Sequence, residues 1–495
     1  MIGVGENILF YLPAVPLGIA VLAFGIRSRR IVELLHLAGI TIVAFLSLLL
    51  VRSVLRGQTL FALNQMLYAD SLTAILVLII GVLGFLDGFY SIGYLRHDLE
   101  HGEADERSVC SYYGFFHIFL FTMLLSAISN NIAIMWAAVE ATTLGSAFLV
   151  GFYKYKTSAE GAWKYVLICS VGLAFALYGT ILTYSDAFTI LQDAHRAMLW
   201  TEIAGMAHSL DPQVMKLAFV FILLGFGTKA GLFPMHTWLP DAHSEAPSPA
   251  SAMLSGVLLK CALFAIIRYY AIALQVLGRS FPQTLLLIFG LLSVCVAAFF
   301  ILVQNDIKRK LAYSSVEHIG IITTGLGVGG ALGIFAALLH AINHSITKSL
   351  LFCASGNVVI KYGTRDSQKI RGLLKVAPFT GLMFMAGLLT VAGSPPLNIF
   401  VSEFMTLTAG LKGGYLWPMI LLLIALVIVF AALVILISGS VFGSPPEGLS
   451  RGEVGWLTLL PFGILFLLMA GLGIYIPAPL NQLLQSAVNV VLGAR

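Results

Sequence analysis

Residues 248–270 read SPASAMLSGVLLKCALFAIIRYY. A helix needs about 20 largely apolar residues to cross a bilayer, and this run is long enough. Lys260 sits near its middle. A charge near the bilayer centre costs about 2.5–3.5 kcal/mol even on the lenient insertion scale. A chain that keeps such a residue must turn it away from lipid, toward other helices. The expected fold is therefore a bundle of spanning helices with ionisable groups inside.

The rest of the chain fits that frame. Of its 495 residues, 59% are apolar and 10% are charged, against about 25% charged in ordinary soluble chains. Counting runs of spanning length gives fourteen segments, near 8–26, 31–51, 70–95, 112–129, 131–152, 161–184, 214–235, 248–270, 282–303, 311–329, 331–357, 376–410, 415–440 and 455–476. Long continuous runs exclude a β-barrel, which is built from short alternating segments. A last stretch, 479–493, is too short to span and is expected along the interface. With the N-terminus outside, odd-numbered loops carry seventeen Lys and Arg and even-numbered loops seven, Arg268 among them. That asymmetry follows the positive-inside rule and puts both termini outside. Ile8–Ile26 reads as a retained helix, not a cleaved signal. The runs at 27–30 and 308–310 read as membrane flanks, and no basic stripe suggests nucleic acid. The five cysteines are scattered through apolar stretches. They read as small buried residues, which argues against an iron–sulfur cluster or haem in this chain.

Several charges recur at depth. Glu140 lies about ten residues into the fifth segment, roughly 15 Å deep at 1.5 Å per residue. Lys229, Lys348 and Glu403 also lie within apolar runs. One reading is ion pairs that lock helices together, but buried pairs hold structures weakly compared with apolar packing. The functional reading is a proton or cation path, the default for intramembrane ionisable residues. His340, His344 and Lys348 follow at intervals of four, one stripe on a helix. Histidine titrates near neutral pH and suits a shuttle; hydrogen-bonded packing is the plainer alternative. Two histidines at i and i+4 can hold zinc, but no HExxH pattern or third ligand accompanies them, and no metal is expected. Two segments look broken: one at Gly231 and Pro234 beside Lys229, one at Gly393, Pro395 and Pro396 before Glu403. Proline removes a helix donor, and broken backbone survives at depth only where protein or water covers it. One break in each half, each beside a charge, is the pattern of a transporter built from repeats. Weaker candidates are Asp87, Glu317 and His318. Asp241 and His243 lie in HTWLPDAHSEAPSP (236–249), read as a capped turn before a hydrated mouth.

The stretch TKAGLFPMHTWLPDAHSEAPSPASAMLSGVLLKCALFAIIRYY (228–270), with LHAINHSITKSLLF (339–352) and GSPPLNIFVSEF (393–404), resembles the antiporter-like membrane subunits of complex I. Related chains occur in multisubunit cation/proton antiporters and membrane-bound hydrogenases. Within that superfamily, YSSVEHIG (313–320) looks most like the component F branch of hydrogenase-4. The resemblance implies fourteen helices and two inverted five-helix repeats, about 112–270 and 282–440. A three-helix segment (1–111) precedes them, and helix fourteen with a tail (441–495) follows. It implies that Glu140 pairs with Lys229 on broken helix seven, and that Lys260 is the central lysine. His340, His344 and Lys348 then form a relay, and Glu403 sits on broken helix twelve. The function so implied is a proton- or cation-translocating subunit, itself without redox chemistry or cofactor. Its partners would be other membrane subunits and, indirectly, a peripheral redox arm of hydrogenase or quinone-reductase type. It would sit in the cytoplasmic membrane of a prokaryote. The alternative is a subunit of a multisubunit Na⁺/H⁺ antiporter with no redox partner.

Overall fold

The computed structural model describes residues 4–493. The extreme chain ends, expected outside the membrane, lie beyond the described residues. The helices, in chain order, are α1 (Val4–Gly25), α2 (Arg29–Leu55), α3 (Ser71–Glu100), α4 (Glu106–Ile128), α5 (Ile132–Val150), α6 (Lys156–Leu191) and the short α7 (Trp200–Gly205). The chain continues through α8 (Pro212–Ala230), α9 (Trp238–Glu245), α10 (Ser248–Met253), α11 (Leu259–Leu277), α12 (Ser280–Val303), α13 (Ile307–Val328) and α14 (Gly330–Tyr362). It ends with α15 (Leu373–Val376), α16 (Pro378–Val391), α17 (Asn398–Lys412), α18 (Leu416–Ser440), α19 (Trp456–Ile474) and α20 (Ala478–Leu492). Among the described residues the only sheet is one antiparallel hairpin, Leu60–Ala62 with Leu67–Ala69.

Twelve helical stretches are long and apolar enough to cross a membrane. Two expected segments take another form. The segment read at 311–329 is α13, which starts at Ile307 and so draws Lys308, Arg309 and Lys310 into its first turn. The segment read at 376–410 is two shorter helices, α16 and α17, on either side of a break.

Polarity runs inside out. Leu144, Phe148, Val427, Ile435 and Leu467 are exposed, while Lys229, His340, His344 and Lys348 are fully buried. Lipid accepts the first group and would penalise the second. Helix association in lipid relies on close backbone approach. Between α12 and α13, a side chain at Gly290 would meet the backbone of Thr324 at 2.6 Å and of Gly320 at 2.8 Å. Only glycine lets those helices touch.

Two basic residues assigned to loops or flanks lie elsewhere. Arg268 is inside α11 and almost fully buried. Its guanidinium grips Asp70 with two bonds of 2.7 and 2.8 Å and stacks 4.3 Å from the Trp200 ring. Asp70 in turn caps α3 by accepting from the Thr73 amide at 2.9 Å. Lys308 folds inward and donates to the Ala246 carbonyl at 2.5 Å. The last helix, α20, buries Leu483, Leu484, Ala487, Val488 and Val491 against α3, α11 and α14.

Candidate functional site

The first broken element separates α8 from α9. α8 ends at Ala230, and Gly231 turns left-handed with φ +84°. The freed groups find partners: the Trp238 indole donates to the Thr228 carbonyl at 2.8 Å, and the Phe233 amide donates to Ser293 Oγ at 2.9 Å. A buried polar backbone group without a partner would cost about 1–3 kcal/mol. The break thereby survives at depth, and Lys229 sits on its last helical turn. Lys229 Nζ donates to Thr143 Oγ1 at 2.7 Å and Tyr165 OH at 2.6 Å, and lies 4.5 Å over the Tyr165 ring. Glu140 stands one turn before Thr143 on α5. Its Oε1 accepts from Ser170 Oγ at 2.6 Å, and its Oε2 has no partner among the described residues. Glu140 and Lys229 therefore share a neighbourhood but form no direct ion pair. Each is held by hydroxyl groups of its own instead.

Lys260 follows a π-turn, Leu254–Leu258. Such a turn frees a carbonyl from the helical ladder, and Lys260 Nζ donates to the Ser255 carbonyl at 2.7 Å. The same Nζ reaches His344 Nδ1 at 2.5 Å. The His344 ring lies 5.0 Å from the His318 ring, centre to centre. His318 Nδ1 and His340 Nε2 are 3.0 Å apart, and His340 Nδ1 meets Ser402 Oγ at 3.0 Å. Glu403 follows Ser402, and His318, His340 and Glu403 bring ligand-type atoms within 4.8 Å of one another. The line thus passes from α11 to α14, α13, α14 and α17. Lys348, two turns beyond His340, donates to the Leu311 carbonyl at 2.8 Å and to Ser314 Oγ.

The second break shapes the end of this line. Gly393 has φ +69°, and any side chain there would collide with Glu403 Oε2. The missing Cβ is the space that the carboxylate occupies. Ser394, Pro395 and Pro396 carry the chain into α17.

The remaining candidates divide. His318 joins the line directly. Glu317 is buried with neither carboxylate oxygen partnered among the described residues. Asp87 on α3 accepts from Ser349 Oγ at 2.9 Å, beside Lys348. His243 is buried with both ring nitrogens unpartnered among the described residues, edge-on to Phe352 at 5.4 Å. Asp241 instead faces outward, in ion pairs with Lys164 at 3.2 Å and with Arg309. Sequence reasoning missed the hydroxyls of Thr143, Tyr165, Ser170 and Ser402. Serine and threonine are common in membrane helices, so no local signal marks them. It also missed a polar cavity of about 630 Å³ among helix ends, lined by Tyr94, Asp98, Tyr153, Glu245, Lys308 and Arg365. There Tyr153 OH donates to Asp98 Oδ2 at 2.8 Å.

Similarity to known proteins covers this whole arrangement. Residues 129–429 match the family described as NADH:quinone oxidoreductase/Mrp antiporter, TM, and residues 58–102 match complex I chain 5 N-terminus. A hydrogenase-4 component F homolog of Methylacidiphilum infernorum is 39% identical over 415 residues, which is 82% of this chain and 85% of that protein. Hydrogenase-4 component B of Escherichia coli is 31% identical over 68% of this chain and 50% of its own length. A Na(+)/H(+) antiporter subunit A1 of Staphylococcus aureus is 31% identical over 91% of this chain and 59% of its own. In fold, a chain of the archaeal membrane-bound sulfane sulfur reductase matches with TM-score 0.86 at 24% identity, covering 98% of this chain and 97% of that one. A chain of the Mrp complex from Dietzia sp. matches with TM-score 0.87 at 18% identity, covering 99% and 98%. With its central three-fifths matched to one family and most of its length to a hydrogenase-4 relative, the chain belongs to the NADH:quinone oxidoreductase/Mrp antiporter family of membrane subunits.

Proposed function

We propose that the chain translocates protons or another cation as a membrane subunit of a multisubunit oxidoreductase of hydrogenase-4 type. The observation that carries this reading is the buried line from Lys260 through His344, His318 and His340 to Ser402 and Glu403. Imidazole can accept a proton on one nitrogen and release it from the other. A lysine that donates to an imidazole can hand its proton over and be recharged from behind. Lys229, held by Thr143 and Tyr165 near Glu140, is the group that recharges it. Glu403 delivers at the far end. The polar cavity around Asp98 and Lys308 is the uptake mouth on the side that carries the excess of positive loops. Fourteen helices in two inverted repeats accommodate these roles, with both termini outside a prokaryotic cytoplasmic membrane.

Redox chemistry belongs to partner subunits in this reading, and the chain carries no cofactor of its own. The partners are other membrane subunits and, through them, a peripheral arm. Two relatives with hydrogenase-4 names support that assignment. The antiporter relative, aligned over 91% of this chain, supports a second reading as a Na⁺/H⁺ antiporter subunit with no redox partner. Purification of the native complex separates the two. Nickel, iron and a hydrogenase large subunit accompany the chain in the first case and not in the second.

The path is tested with Lys229→Ala, Lys260→Ala and Glu140→Gln in proteoliposomes. Each variant should lose coupled pumping while the complex still assembles. Full pumping in all three refutes the path.

A further inference from the structure

His318, His340 and Glu403 come from three different helices, α13, α14 and α17, and their ligand-type atoms lie within 4.8 Å of one another. All three side chains are buried. Two imidazoles and one carboxylate make up a ligand set of catalytic zinc sites, which keep a further position for water. Zinc–nitrogen bonds of about 2.0–2.1 Å in a tetrahedral site set the two nitrogens roughly 3.3 Å apart; His318 Nδ1 and His340 Nε2 are 3.0 Å apart. Glu403 Oε1 is buried without a hydrogen-bond partner among the described residues, so a lone pair is available. An outer-shell partner is present for His340, while His318 Nε2 has none among the described residues. His340 Nδ1 meets Ser402 Oγ at 3.0 Å, which fixes the ring and directs Nε2 toward His318. Ser402 is itself held by Asn343 Nδ2 at 3.2 Å. The donors needed beside His340 thus come not from its own helix but from residues 22 and 63 positions away in sequence.

We propose that His318, His340 and Glu403 form a binding site for a borderline-soft divalent cation of the Zn²⁺ class. Imidazole donors favour Zn²⁺, Ni²⁺, Cu²⁺ or Fe²⁺ over Mg²⁺ or Ca²⁺, which prefer oxygen ligands. A bound ion replaces the N–H···N bond between the two histidines, releasing its proton and taking a lone pair from each nitrogen. It also fixes Glu403 in place, so α17 can no longer move relative to α13 and α14 without breaking a metal bond. The site is therefore a brake on translocation. That consequence, though not the binding itself, rests on the proton path proposed above.

The test uses the intact complex in detergent. It is stripped with a chelator, equilibrated with Zn²⁺ at buffered free concentrations and freed of unbound metal. Metal content is then read by mass spectrometry, and ligation by X-ray absorption at the zinc edge. The wild-type complex should retain one more zinc per copy of this chain than Glu403→Gln or His318→Gln. The difference spectrum should show imidazole nitrogens at about 2.0–2.1 Å. Ser402→Ala, which removes the outer-shell contact and leaves all three ligands in place, should weaken retention by about 10- to 100-fold. It also serves if a ligand variant fails to assemble. Equal zinc content in wild type and all assembled variants overturns the site. Pumping assays run in parallel keep the two readings apart. If Glu403→Gln loses zinc yet pumps normally, the metal site stands and the path through Glu403 falls. If it stops pumping with unchanged zinc content, the path stands and the metal site falls.

Discussion

Gly393→Ala tests the geometry of the second break without replacing a titratable group. Two costs follow from the structure. The backbone at φ +69° is left-handed, and an L-residue with a Cβ pays about 1–2 kcal/mol there. The new methyl also falls on Glu403 Oε2. That oxygen ends a flexible side chain, so it moves rather than the backbone, at an off-rotamer cost of about 0.5–1.5 kcal/mol. The expected loss is therefore about 1.5–3.5 kcal/mol, and only the smaller part depends on Glu403. A double-mutant cycle isolates that part. In a Glu403→Ala background the methyl has room, and Gly393→Ala should cost only the backbone share. Gly393→Asn separates the terms differently, because asparagine tolerates left-handed backbone but keeps the Cβ. Stability is followed by tryptophan fluorescence during detergent unfolding, and translocation by proton uptake into proteoliposomes. Gly393→Ala and Gly393→Asn should both slow translocation, since both push the carboxylate away from His318 and His340. An identical stability loss in both backgrounds refutes the contact. Wild-type translocation in both variants refutes the claim that the carboxylate must sit there.

Two other expectations follow from buried contacts. Arg268→Ala leaves the Asp70 carboxylate buried without its two-pronged partner, and should destabilise the complex by about 3–5 kcal/mol; Asp70→Asn with Arg268→Met should recover most of that loss in thermal melts, and no recovery sinks the ion-pair account. Tyr165→Phe removes one of the two hydroxyl acceptors of Lys229, a hydrogen bond to a charged group worth about 1.5–3 kcal/mol. Pumping in proteoliposomes should fall at least tenfold with assembly unchanged, and an unaltered rate removes Tyr165 from the path.

The residues that sequence made legible were those whose mere presence breaks a rule. Lys229, Lys260, Lys348, Glu140 and Glu403 are charges in runs that hydrocarbon should not tolerate. Gly393 and its following prolines are helix breakers in a spanning segment. Each violation is local, so a reading along the chain finds it. What stayed hidden depends on which helix lies beside which. His318 reads as a minor candidate from its neighbours in α13, yet it bridges His344 and His340 on the adjacent helix α14. Arg268 reads as a loop cation near the end of an apolar run, and is buried because Asp70, 198 positions away, waits for it. The even spacing of His340, His344 and Lys348 suggests one stripe with one purpose. In the folded chain all three face α13, but the first also reaches α17, the second also α11, and the third holds the Leu311 carbonyl of α13 itself.

The two halves of the bundle also differ in the chemistry that surrounds their lysines, and this bears on where control lies. Lys229 is wrapped in hydroxyls: Thr143 and Tyr165 accept from it, and Ser170 stands on Glu140. A hydroxyl has one proton to donate and must rotate to pass another. Lys260 touches an imidazole directly, and imidazole changes protonation without leaving its place. Among the described residues, no hydrogen bond joins the Glu140–Lys229 group to Lys260, while an almost continuous line runs onward from Lys260 to Ser402, beside Glu403. A relay that conducted freely along its whole length would dissipate the gradient it builds. In the proposed path, the unconnected step between the hydroxyl-lined half and the imidazole-lined half is therefore the position at which an external event would open and close the relay.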